Sequence, residues 1–237
     1  MLIRDKKLFL KGFLLMVSFL AVLVLIFSPV FPGGLNGLDF SDDLFNKLSK
    51  GSSYFIPQVA KTVKPFDGKQ VTVEVKMKSP EDVKTSMLLL EKVGAKGEAK
   101  GDSITMTADL GAMLGKVVAD ADLLYKDQTD TLTAAYGMDG KVAMKSWWTL
   151  LAASIKPLQK IKMIEEAKAV NMVNQKAIEP AYNFAGIPAE SIMTKIPTVA
   201  GLLIFYVIYT MWYGYAIFDM FGGMGLSMSK SKIKKEA

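Results

Sequence analysis

The chain contains no cysteine and no histidine. Their absence excludes disulfides, thiolate nucleophiles, zinc sites of the usual ligand set, imidazole proton shuttles and His-ligated haem. Arginine is almost as scarce: Arg4 is the only one, so the planar forks that read phosphates and bases are missing. The carboxylates that remain form no obvious acid–base pair, since Asp120 and Asp122 are two apart on a predicted helix and do not share a face. Gly94, Gly97 and Gly101 lack the spacing of a phosphate loop and lead into a strand rather than a helix N-terminus. The sequence therefore reads as a non-enzyme: no catalytic, cofactor-binding or metal-binding residue is assigned, and no cofactor is expected.

Two long uncharged runs dominate what is present. Gly12 to Phe31 is a run of 20 residues and Ile196 to Phe218 one of 23. At about 1.5 Å per residue each suffices for a hydrocarbon core of about 30 Å. The first run is too long for a cleaved signal peptide and has no Ala-x-Ala-like site after it, so it reads as an uncleaved anchor.

The net charge of +6 is concentrated outside these runs. Arg4, Lys6, Lys7 and Lys11 face only Asp5 before the first run; Lys230, Lys232, Lys234 and Lys235 face Asp219 and Glu236 after the second. This is the positive-inside pattern rather than a nucleic-acid surface. It predicts a two-pass protein of the inner (cytoplasmic) membrane with both termini cytoplasmic. The divisions are a basic segment (1–11), a first span (12–31), a periplasmic or extracellular domain (32–195), a second span (196–218) and a basic tail (219–237) that meets anionic lipid.

The domain between the spans reads as α/β, an α+β sandwich with a ferredoxin-like split βαβ as one candidate. Ser41 followed by Asp42 and Asp43 predicts a helix start, with interruptions at Gly51 and Pro57. Val71, Val73, Val75 and Met77 alternate with polar residues, predicting a strand. Ser79-Pro80-Glu81-Asp82 predicts a helix start, Ser103–Thr107 a second strand, Asp109 another helix, and Thr131–Tyr136 a last short strand. From Met144 to Val173 apolar residues recur at spacings of three and four, predicting one long amphipathic helix kinked at Pro157.

In the second span, Tyr206, Tyr209, Thr210 and Tyr213 share a sector of about 100°, placing hydroxyls where lipid offers no partner. They form the candidate intramembrane assembly face, for another subunit or a quinone-like ligand, with packing on the chain's own first span as the alternative. Asp219 is the candidate interfacial or subunit-contact charge.

The expected function is a non-catalytic scaffold or accessory subunit of a membrane assembly. Its expected partners are membrane lipids, other membrane-protein subunits or further copies of itself, and not nucleic acid. An extracytoplasmic sensor or ligand-binding protein is the alternative, although the short cytoplasmic segments cannot form an output domain. The order of span, α/β domain, long helix, Pro-punctuated loop and span resembles polysaccharide co-polymerases of the chain-length-regulator type in architecture. The predicted helix is shorter than in that family. The resemblance implies a homo-oligomeric scaffold.

Overall fold

The computed structural model describes residues 3–226; the tail lysines Lys230 to Lys235, expected to meet anionic lipid, lie outside the described residues. The chain divides into two compact units. One comprises the residues up to Leu48 together with those from Ser191 on, and the other is Ser49–Glu190.

In the first unit, α1 (Lys6–Phe27) begins at Asp5, whose carboxylate accepts the Lys7 and Leu8 backbone N–H groups at 3.0 Å each. It ends at Ser28, held extended because Pro29 follows. The apolar run continues to Phe31, but the helix does not. Phe31 and Leu35 instead close a tight turn, with the Phe31 N–H donating to the Leu35 carbonyl at 3.0 Å and Gly33 and Gly34 at positive φ. Helix α2 (Gly37–Ser52) starts four residues before the expected Ser41. Asn36 is its true cap, its Oδ1 accepting from the Leu38 and Asp39 N–H groups at 2.9 Å, while Ser41 turns its hydroxyl back onto the Gly37 carbonyl. The last helix, α10 (Ile192–Gly223), lies antiparallel beside α1. By length and composition α1 and α10 are each able to cross a bilayer.

The second unit is mostly helical. After α3 (Ile56–Val63), strand β1 (Gln70–Lys76) leads to α4 (Pro80–Lys92), β2 (Lys96–Lys100), β3 (Ser103–Asp109) and α5 (Leu110–Tyr125). The strands form one antiparallel sheet of order β1-β3-β2. β3 sits between the two strands joined by α4, so this segment is a split βαβ unit. Val71, Val73 and Val75 pair across from Ala108, Met106 and Ile104, and these six residues form the buried face against the helices. Thr72, Glu74, Lys76 and Thr105 are exposed on the other face.

The predicted last strand is not formed. Residues 129–136 are helix α6 (Thr129–Tyr136), because Leu132 and Tyr136, one turn apart, both point into the core and Gly137 closes the helix at φ 70°. A ferredoxin-like sheet would need a fourth strand, and the described residues supply three.

The predicted long helix is also divided. Its residues fall in α7 (Gly140–Lys160) and α8 (Ile164–Val173), and α8 runs on past the predicted end into a π-helical turn (Asn174–Ile178) and α9 (Glu179–Phe184). The break is not at Pro157, which stays inside α7, but at Lys162. That residue has φ 63°, its N–H donates to the Gln159 carbonyl, and the Met163 N–H donates to the Leu158 carbonyl, both at 3.0 Å. This is a Schellman stop with a lysine where glycine is usual. The single long helix of the architectural resemblance is therefore absent.

Trp147 is fully buried and anchors a polar chain in the core. Its indole N–H donates to the Tyr136 hydroxyl at 3.1 Å, that hydroxyl donates to Asp120 Oδ2 at 2.5 Å, and Lys116 donates to Asp120 Oδ1 at 2.5 Å. Burial, followed by the Asp120 contact, pushes the Tyr136 phenol well above its ordinary range.

Candidate functional site

The seam between α1 and α10 is built from residues alternately three and four apart. Leu8, Gly12, Leu15 and Phe19 lie on α1; Tyr209, Trp212, Ala216, Asp219 and Gly223 lie on α10. This spacing keeps one stripe of each helix facing the other over several turns. At one end the backbones nearly touch. A Cβ placed on Gly12 would stand 2.5 Å from the Met220 nitrogen and 2.7 Å from the Ala216 carbonyl oxygen, and one on Gly223 would stand 2.6 Å from the Phe9 nitrogen. Small residues permit such close approach of two helix backbones. The Gly223 carbonyl accepts the N–H groups of both Arg4 and Asp5, at 2.8 and 2.9 Å.

The four hydroxyl-bearing residues meet different surroundings. Tyr209 lies on α1: its hydroxyl donates to the Phe19 carbonyl at 3.2 Å and its ring stacks on Phe19 with centroids 4.2 Å apart. Tyr213 leans on the same Phe19 ring at 5.2 Å. Thr210 donates to the Tyr206 carbonyl at 2.8 Å, within its own helix. Tyr206 is left over, 67% exposed, its hydroxyl without a hydrogen-bond partner among the described residues. Packing on the chain's own α1 thus accounts for Tyr209 and much of Tyr213, and not for Tyr206.

Asp219 is buried, at 4% exposure, and Lys11 Nζ lies 2.9 Å from its Oδ2. The contact is an ion pair rather than an aligned hydrogen bond, since that oxygen meets no donor in hydrogen-bond geometry. In the sequence, Trp212 and Gly12 stand only as members of apolar runs. Trp212 donates its indole N–H to the Leu15 carbonyl at 3.1 Å. Their position on the three-and-four stripe was the available signal.

Within the Ser49–Glu190 unit, two recesses stand out. One, of about 290 Å³, is lined by Lys145, Trp148, Ile178, Glu179, Tyr182 and Asn183, with the Trp148 indole donating to Glu179 at 2.9 Å. The other, of about 390 Å³, lies between α3 and the π-helical turn, over Phe55 and Met172. A third feature is a charged cluster at the end of α5. Tyr54 donates to Asp122 at 2.7 Å and Lys126 donates to the same carboxylate at 2.6 Å. Asp122 accordingly raises the Tyr54 phenol and the Lys126 ammonium above their ordinary values. Asp120 and Asp122, two apart, indeed face differently, one into the core and one into this cluster. Among the described residues no three carboxylates lie close enough to hold a metal ion. No protein-family model matches the chain, and comparison with curated proteins and with solved structures yields no match.

Proposed function

We propose that the chain is a non-catalytic, membrane-tethered scaffold or accessory subunit, with the Ser49–Glu190 unit on the extracytoplasmic side and both chain ends in the cytoplasm. The observation that carries this reading is Tyr206. It is the eleventh of the 23 uncharged residues from Ile196 to Phe218, about 15 Å or more from either end, and its hydroxyl has no partner among the described residues. Hydrocarbon offers that hydroxyl nothing, whereas a neighbouring protein helix does. The first span is already engaged elsewhere, by Tyr209 and Trp212. A second helix, from another subunit or another copy, completes the site.

Extraction in mild detergent followed by native mass measurement tests the proposal. The expected result is a discrete assembly, of this chain alone or with foreign subunits, that Tyr206→Leu loosens; a lone monomer for the unaltered protein overturns it. For topology, a cysteine introduced at Lys100 is expected to label from outside intact cells. One at Ser231, which lies outside the described residues, is not.

A further inference from the structure

We infer that the groove between α1 and α10 at the Lys11 end is a binding site for an anionic phospholipid. The inference rests on the membrane reading above and goes beyond it by naming a ligand. The groove measures about 650 Å³ and is lined by Lys11, Leu15, Ile208, Met211, Trp212 and Tyr215. That volume falls in the range of small-molecule pockets.

The lining is graded along the helix axes. Lys11 is the last charge before the uncharged run that begins at Gly12, and Tyr215 lies three residues from the Phe218 end of the other run, so both sit at the same boundary. Leu15 and Trp212 come one turn deeper, and Met211 and Ile208 continue the apolar floor. A headgroup at the mouth with an acyl chain along the floor matches this order of polar and apolar groups.

The charge selects an anionic headgroup. Lys7, Lys11 and Leu15 are four residues apart on α1, so two ammonium groups stand in line above the groove floor. Arg4 and Lys6 add to the same end. Against them stand Asp5, whose carboxylate is spent on capping α1, and Asp219. The Asp219 carboxylate is within 2.9 Å of Lys11 Nζ, yet the lysine side chain remains 67% exposed. An ammonium has three donors, so the ion pair positions Lys11 at the mouth and leaves donors for a phosphodiester. Trp212 is held by its bond to the Leu15 carbonyl, which presents its ring as a fixed wall for the chain. Basic pockets between membrane helices near the headgroup level are the setting in which phosphodiester headgroups bind.

The test uses the full chain in phosphatidylcholine vesicles containing a graded small fraction of dibrominated lipid, carried either by phosphatidylcholine or by phosphatidylglycerol. Bromine quenches indole fluorescence on contact, and a Trp212→Phe protein supplies the signal to subtract. Brominated phosphatidylglycerol is expected to quench the Trp212 component at a several-fold lower lipid fraction than brominated phosphatidylcholine. Lys7→Gln, which leaves the Lys11–Asp219 pair intact, is expected to weaken that preference by about fivefold; Lys7→Arg is expected to keep it. Equal quenching by the two headgroups, or a preference unchanged in Lys7→Gln, overturns the site. Absence of Trp212 quenching by either lipid overturns the membrane reading itself.

Discussion

The two units of this chain solve the problem of holding helices together in opposite ways. In the Ser49–Glu190 unit large side chains fill the space: Trp147, Leu89, Leu90, Met113, Leu114 and Leu151 are each essentially inaccessible. In the α1–α10 pair the critical positions are those with the least side chain, Gly12, Ala216 and Gly223, and what joins the helices is backbone proximity with aromatic donors reaching across to carbonyls. One region is damaged by taking atoms away and the other by adding them. Removing apolar surface from water drives the first; the second pair, each helix long and apolar enough to cross a bilayer, is joined by close backbone packing and hydrogen bonds to carbonyls, the means by which helices associate among lipid tails, where that force is absent.

The largest effect is expected from Trp147→Ala. Truncating a buried tryptophan costs about 3 to 5 kcal/mol, and here it also deprives the Tyr136 hydroxyl of its indole donor. Thermal unfolding of the detergent-solubilised chain, followed by near-ultraviolet circular dichroism, measures the loss. If the same substitution barely shifted the transition, the large-side-chain half of the comparison would fail.

Gly12→Leu should act next, and in the other sense, costing about 1 to 3 kcal/mol by forcing the two helices apart. Because the chain has no native cysteine, a cysteine pair at Leu8 and Gly222, whose positions face each other across the seam, reports the separation directly. Disulfide yield is expected to drop in the Gly12→Leu background and to stay high with Leu10→Ala, which alters an exposed position of the same helix.

The smallest effect tests the polar surface of the globular unit. Lys69 forms an ion pair with the nearly buried Glu166 and holds its carboxyl below the ordinary range, against the opposing effect of burial. A lowered folded pKa means the contribution to stability is present above the unfolded pKa, about 4.3, and disappears as pH falls through the folded value. Glu166→Gln is therefore expected to cost about 1 kcal/mol or less at neutral pH. The difference from the unaltered protein should vanish in acid, as read from denaturant midpoints across a pH series.

Local signals carried much of the fold. Ser79 caps α4 and Asp109 caps α5, each accepting the N–H three residues on, and the alternation Val71, Val73, Val75 became the buried face of β1. Misreadings arose where the signal was ambiguous by nature. Leu132, Ala134 and Tyr136 alternate as a strand would, while Leu132 and Tyr136 also sit one helical turn apart; contact with Trp147 decided for the helix. Lys162 carries no sequence mark of a helix stop, since the left-handed turn there is imposed by the packing of α7 against α8 and not by a glycine. At the candidate site, the angular sector of Tyr206, Tyr209, Thr210 and Tyr213 was legible. Which of them would be spent on α1 was not, because that depends on how the α1 stripe is rotated.

The edge strand β2 bears on a different matter, the behaviour of many copies at once. Among the described residues, Lys96, Gly97, Glu98, Ala99 and Lys100 pair with β3 on one side only, so this strand, like β1 at the opposite side, is an edge of the sheet. Wherever copies meet at high local density, an open apolar edge invites sheet-to-sheet aggregation. Alternating lysine, glutamate and lysine along this strand put charge at every second position, a gatekeeper against such stacking, so that crowding of copies need not become precipitation.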